Sequence, residues 1–260
     1  MTGQVRSARR ERLTEWNRRF IVEERFVDPS VRRRLYGTSI TLIAVGLAAF
    51  LVLLISVLTH SGIERLDEPV EQWFNAQRSG EVTGFMIFLA ITFGPYGMPV
   101  IVLVTLVAWI ALARHLWRPL LLAAGMLTGV ILALVLAPII RHPRPPIALM
   151  MLDPDRTFSF PSGHVLGMCD FFLILAFLLA SRIQRTWVTV LLLALAIGSI
   201  VAQIISRLYL GYHWLTDVSA SVALSLVVVG AVIAIDTHRT VRIPGERIVG
   251  SHSTLQTEGT

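Results

Sequence analysis

Long apolar runs alternate with short polar segments along this chain, and the runs set its architecture. They cover residues 38–59, 83–113, 119–140, 163–181, 187–208 and 214–235, each close to or above the roughly 20 residues a helix needs to cross a bilayer core. Six membrane-spanning helices follow, because a helix satisfies all of its own backbone hydrogen bonds in lipid. The second run is interrupted by Gly94-Pro95-Tyr96-Gly97 and by Pro99, which predicts an interfacial lead-in ahead of the true span. Between the first two runs, Leu66, Val70, Trp73 and Phe74 have the spacing of a helix lying across the outer mouth. Ahead of the first run, Leu13, Trp16, Phe20 and Val27 are interleaved with Arg12, Arg18, Arg19 and Arg25. This pattern fits an amphipathic helix on the inner membrane surface, with a disordered basic tail as the alternative. The expected organisation is an all-α chain: a basic cytoplasmic segment over 1–37, a six-span domain over 38–236, and a cytoplasmic tail without fixed structure over 237–260.

Composition agrees with the pattern. Hydrophobic residues make up 54% of the 260, charged residues only 15%, and the mean hydropathy is +0.68, which excludes an ordinary soluble domain. The single cysteine, Cys169, lies within an apolar run, so no intramolecular disulfide forms. Because the first run begins near Thr38, behind an arginine-rich segment, it is expected to stay as an anchor and not to be cleaved as a signal peptide.

Charge predicts orientation. All 23 basic residues are arginine, and 17 of them fall in 1–37, 114–118, 182–185 and 237–260, segments that an even number of spans places on one side. That side is expected to be cytoplasmic. The opposite loops hold Arg65, Arg78, Arg141, Arg144, Arg156 and Arg207. The isoelectric point near 10.6 is compatible with nucleic acid, but no nucleic-acid motif accompanies these arginines, and phospholipid headgroups account for them. No internal repeat of the inverted-topology kind is visible.

Three short stretches on the arginine-poor side carry the chemistry: Arg144-Pro145, Pro161-Ser162-Gly163-His164, and Ser206-Arg207 with His213 and Asp217. His213 and Asp217, four apart at the start of the last span, share a helix face. The carboxylate takes the Nδ1 proton of the imidazole and leaves Nε2 free to act as a nucleophile. Ser162 and Gly163 open the fourth span with a serine N-cap and backbone N–H groups that face an anion. His164 then stands beside that anion, placed to protonate a leaving alkoxide and later to take a proton from water. Arg144 and Arg207 present planar forks of donors to phosphate. Each stretch alone has a plainer rival: an interfacial histidine, a helix cap, or an arginine snorkelling to headgroups. Their company decides for phosphoryl transfer.

These residues resemble the membrane-bound type 2 phosphatidic acid phosphatases, which share a helical core with vanadium haloperoxidases. That family's signature runs Lys-x6-Arg-Pro, Pro-Ser-Gly-His, and Ser-Arg-x5-His-x3-Asp. The second part is complete here at 161–164 and the third through Ser206, Arg207, His213 and Asp217. The resemblance implies a phosphohistidine on His213, orientation by Asp217, acid then base catalysis by His164, and phosphate binding by Arg144, Arg207, Ser162 and Gly163. It also implies that no metal or other cofactor takes part.

The first motif departs from the family. Ala137 stands where the family has lysine, and the chain contains no lysine. Arg141, one helical turn on, is expected to supply the missing charge, with His142 as a second candidate. Asp170, on another face of the fourth span, is left out of the site. The expected activity is hydrolysis of a terminal phosphate or pyrophosphate of a membrane lipid at the outer face of a cell membrane. Polyprenyl pyrophosphate, phosphatidylglycerol phosphate and phosphatidic acid are the candidate substrates, and the bilayer itself is the remaining partner. Alternatives are a lipid phosphotransferase and a non-catalytic phospholipid-binding or transport protein.

Overall fold

The computed structural model describes residues 24–112 and 116–246. Eight α-helices account for most of them: α1 (Pro29–Leu58), α2 (Asp67–Ala76), α3 (Gly80–Thr92), α4 (Gly97–Leu112), α5 (Trp117–Ile140), α6 (Gly163–Ile183), α7 (Thr186–Tyr209) and α8 (Leu215–Thr240). Five of these, α1, α5, α6, α7 and α8, are each long and apolar enough to cross a membrane. The pair α3 and α4 makes a sixth candidate, bent by 53° at the break between Thr92 and Gly97. The break falls at the Gly94-Pro95 interruption read from the sequence, where proline removes a backbone donor.

The helix boundaries differ from the sequence expectation at both ends. Helix α1 starts at Pro29, with the Asp28 side chain accepting from the Ser30 N–H at 2.7 Å, so residue 37 lies inside a helix. Proline in the first turn and an aspartate N-cap are what fix that start. Arg25 and Val27, expected on an amphipathic helix face, are extended instead. Arg25–Phe26 (β1) pairs in parallel with Val241–Arg242 (β2), and the Val27 N–H reaches Arg242 O at 2.8 Å. The Arg25 guanidinium donates to the Ser181 carbonyl at the end of α6, and Arg242 pairs with Glu24. Leu13, Trp16, Phe20 and the tail beyond Glu246 lie outside the described residues.

Helices α1 and α8 make the most extensive helix contact. Small residues allow it: a Cβ on Gly46 would lie 2.6 Å from Ala223 O, one on Gly230 2.8 Å from Ser39 O, and the Ser39 hydroxyl donates to Gly230 O at 2.7 Å. Close backbone approach of this kind is how helices associate in lipid, where burial of apolar side chains gives no net gain. Helix α6 packs against α5, α7 and α8 around Leu122, Ile174, Leu178 and Val232. In mid-span the buried Asp170 accepts from Ser225 of α8 at 2.6 Å, while its other oxygen lies 2.0 Å from where a Gly129 Cβ would stand. A polar group at such depth requires an internal partner.

Where the sequence predicts an interfacial helix, the chain forms a 3-10 turn, Gly62–Leu66, followed by α2. Trp73 and Leu66 face outward, while Val70 and Phe74 pack on the cluster around Val165, Met168 and Val218. Asp67, in the first turn of α2, accepts from the Thr216 N–H at 2.9 Å and the Thr216 hydroxyl at 2.6 Å. It thereby caps α8, and it is held beside the residues that the third motif supplies.

Candidate active site

The three motif stretches, far apart in sequence, converge at one end of the bundle. His213 lies in the short loop between α7 and α8 and is 2% exposed. Its Nδ1 donates to the Ser159 carbonyl at 3.0 Å and lies 3.4 Å from Asp217 Oδ2. With Nδ1 carrying the proton, Nε2 is an acceptor, and the Arg144 guanidinium approaches it at 3.2 Å. Burial, helped by the charges of Arg144 and Arg207, pushes the imidazole down to about 4 even though Asp217 opposes the shift. The ring is therefore neutral, as a nucleophile requires.

Asp217 is fully buried and fully used. Its Oδ2 accepts from the Ser159 hydroxyl and from the Trp214 N–H at 2.8 Å, and its Oδ1 accepts from His142 Nδ1 at 2.9 Å. The second of these bonds closes the first turn of α8, where a carboxylate is favoured by the free N–H groups.

Arg144 is fixed by the loop that leads to the second motif. It donates to Tyr212 O at 2.7 Å, to the Thr157 carbonyl at 3.1 Å and to the Thr157 hydroxyl at 2.9 Å, and it pairs with Asp155 at 2.9 Å. Burial works against the Asp155 carboxylate, but hydrogen bonds from Thr157 and the Arg144 charge outweigh it and hold the group below its usual range. Arg207 comes from the last turn of α7, is 3% exposed, and lies over the Tyr212 ring at 4.6 Å. Its Nε has no hydrogen-bond partner among the described residues.

Ser162 is the N-cap of α6, and its hydroxyl is buried without a partner among the described residues. A Cβ on Gly163 would meet nothing within 4 Å, so open space stands at the start of α6. Unpartnered donors around such a space suit an anion. His164 follows on the first turn, with Nε2 3.1 Å from where a Gly94 Cβ would stand. The break between α3 and α4 thus packs directly on this imidazole.

From Gly163 and His164 an apolar cavity of about 520 Å³ runs along α4 and α5 past Met98, Val102 and Met126 to Leu106. Phe93, Gly94 and Pro95 of the break between α3 and α4 complete its wall.

Among the residues read from the sequence, His213, Asp217, His164, Arg144, Arg207, Ser162 and Gly163 come together. Arg141 does not. It ends α5 in the left-handed conformation, φ 57°, and its exposed side chain turns back so that Nε donates to Pro138 O at 3.0 Å. The helix stop that releases the chain towards Arg144 thus seats Arg141 on its own helix end in this structure, and its replacement of the absent lysine stays an expectation. The other candidate, His142, is buried and bonded to Asp217. Ser206 of the third motif reaches Met86 O at 2.8 Å and ties α7 to α3. Ser159, Asp155, Thr157, Tyr212 and Asp67 are additions that no motif spacing signalled. The Asp155-x-Thr157 pair, an aspartate accepting from the threonine N–H two residues on, is the one local signal that was available.

Comparison with known proteins places this arrangement. Residues 118–240 match the PAP2 superfamily model. The phosphatidylglycerophosphatase B of Bacillus subtilis (strain 168) is 27% identical over 198 residues, covering 70% of this chain and 89% of the relative. The crystal structure of a transmembrane PAP2 type phosphatidylglycerolphosphate phosphatase from Bacillus subtilis superposes with a TM-score of 0.67 at 23% identity, over 75% of this chain and 96% of that one. Aquifex aeolicus LpxE gives a TM-score of 0.53 at 18% identity, over 65% and 95%. The part of this multi-pass membrane protein that holds all three motif stretches, residues 118–240, is a PAP2 superfamily domain.

Proposed function

We propose that the chain is a metal-independent lipid phosphatase that works through a phosphohistidine on His213. The observation that carries this is the state of His213: Nδ1 is committed to Ser159 O beside Asp217, while Nε2 faces Arg144. That is a neutral nucleophile aimed at a cationic phosphate site. Arg144, Arg207, the Ser162 hydroxyl and the Gly163 N–H hold the non-bridging oxygens.

Nε2 attacks phosphorus, the bond from phosphorus to the leaving oxygen breaks, and protonated His164 gives its proton to that oxygen. Neutral His164 then takes a proton from water as its oxygen attacks phosphorus. The P–N bond breaks, its electron pair returns to His213, and inorganic phosphate leaves.

The apolar cavity that starts at His164 suits a hydrocarbon tail, which supports a lipid substrate. The activity named for the Bacillus subtilis relative supports phosphatidylglycerophosphate as the first substrate to test, ahead of polyprenyl pyrophosphate and phosphatidic acid. The arginine distribution supports a site on the extracytoplasmic side of a cell membrane, with six spans and both chain ends inside.

The test is phosphate release by purified protein from a panel of these lipids, with and without EDTA. Parent protein is expected to turn over in EDTA and to yield an acid-labile, alkali-stable phosphoprotein on rapid quenching. His213→Ala is expected to do neither while retaining its fold. Activity lost in EDTA and restored by magnesium overturns the reading, as does a His213→Ala variant that still turns over.

A further inference from the structure

One carboxylate stands between two imidazoles. Asp217 Oδ2 faces His213, while Oδ1 accepts from His142 Nδ1 at 2.9 Å. We propose that His142 is a positioning residue for the nucleophile: it fixes Asp217 and, through its own charge, sets how much of that carboxylate's negative field reaches His213. The proposal rests on the reading of His213 as nucleophile and goes beyond it, since no motif residue includes His142.

The surroundings of His142 favour a charge that can change. It is 5% exposed, lies in the loop after α5, and meets the Phe160 ring edge-on at 6.2 Å. The charged groups facing it are acidic on every side: Asp217 from α8, Asp67 from α2 and Glu64 from the 3-10 turn. On its own loop, Arg141 turns to Pro138 and Arg144 to Thr157 and Tyr212. Burial disfavours the His142 cation, but the hydrogen bond to Asp217 and the charges of Asp217 and Asp67 outweigh it and raise its ionisation. His213, on the other side of the same carboxylate, is pushed down to about 4. The two imidazoles therefore change charge in separate pH ranges.

The loop geometry gives His142 leverage. Its carbonyl accepts from the Ser159 N–H at 2.9 Å, and the next carbonyl, of Pro143, accepts from Trp214 Nε1 at 2.8 Å. The first motif is thus clipped to the third at Asp217 and Trp214. When His142 is a cation, the Asp217 charge is largely cancelled. Formation of the P–N bond, which makes His213 more positive, slows, and its cleavage, which removes that charge, speeds up. Neutral His142 reverses both effects.

The test uses His142→Asn, which keeps an N–H donor near the Nδ1 position without a titrating charge, and His142→Phe, which removes the donor. Phosphoprotein formation is followed by rapid quench across pH, and the ratio of variant to parent cancels ionisation of the substrate. The Asn variant is expected to match the parent within about twofold at about pH 9 and to exceed it about fivefold at about pH 5.5. The Phe variant is expected to be slower by about tenfold at about pH 9, as Asp217 loses a partner, and by only about twofold at about pH 5.5, where the parent is itself slowed by its His142 cation.

A ratio for the Asn variant that does not change with pH overturns the proposal. Nitrogen NMR of the parent gives an answer without a variant. A His142 ionisation above the ordinary imidazole range that falls in Asp67→Asn supports the proposal, and one at or below that range overturns it. A flat ratio together with an inactive His213→Ala defeats this inference alone. An active His213→Ala defeats the reading beneath it.

Discussion

The Arg144 guanidinium lies 3.2 Å from His213 Nε2, so a fixed positive charge stands where the proposed mechanism brings the phosphoryl group. That charge acts twice: it draws the anion in, and it keeps the imidazole from protonating.

A pH prediction follows from the second effect. In the proposed mechanism His213 attacks as the free base, and its ionisation is lowered from 6.5 to about 4 by burial and by Arg144 and Arg207. A group pushed down in this way stays competent above its lowered value and is lost as pH falls through it. Removing the Arg144 charge raises that value, so in Arg144→Ala the acid limb of kcat/KM moves to higher pH. At neutral pH the loss of a charge-assisted phosphate contact costs about a hundredfold or more. Arg144→Lys recovers little, because one ammonium cannot make the contacts to Thr157, Tyr212 and Asp155 together. Phosphate release measured over a pH series checks both the limb and the size of the loss.

Arg141→Ala is expected to keep kcat/KM within about threefold of the parent, since a side chain turned to Pro138 O behaves as a surface group. Ala137→Lys, which restores the family's lysine on the last turn of α5, is the informative companion. A hundredfold loss in Arg141→Ala by the same phosphate assay contradicts the geometry described above.

Gly129→Ala tests the buried carboxylate of the span. An added Cβ would lie 2.0 Å from Asp170 Oδ2 and would force Asp170 off Ser225. Overpacking of this kind costs about 1–3 kcal/mol, read as a lowered midpoint in thermal unfolding of the detergent-solubilised protein. Combining it with Asp170→Ala recovers most of the loss, because the clash and the stranded carboxylate disappear together.

Orientation is checked by cysteine labelling. Cys169 is buried and gives no background. Arg156→Cys is exposed in the loop that holds Arg144, and Thr186→Cys is exposed at the start of α7. In intact cells a membrane-impermeant thiol reagent is expected to label the first and not the second. The reverse result puts the site in the cytoplasm.

The apolar runs made the helices legible, and the motif spacings the residues that gather around His213, because both are local periodic signals. The break at Gly94-Pro95 was legible for the same reason. What the spacing did not carry is side-chain direction at helix ends. Arg141 lies one turn from Ala137 in sequence, yet its left-handed backbone turns it away, while His142, the next residue, turns in to Asp217. Asp67 and Asp155 were hidden for another reason: they act across the fold, from an interfacial helix and from a loop, and no period links them to the residues they hold.

The pairing of α1 with α8 bears on how the protein is made. Helix α1 is made with its small-residue side, at Ser39 and Gly46, still without a neighbour, because that neighbour, α8, follows α2 to α7 in the chain. Asp217 and the loop bearing His213 arrive with it. An intermediate of insertion without α8 therefore lacks the proposed nucleophile, and the site is complete only when α1 and α8 have met, with Arg25–Phe26 laid along Val241–Arg242 as a seam beside them.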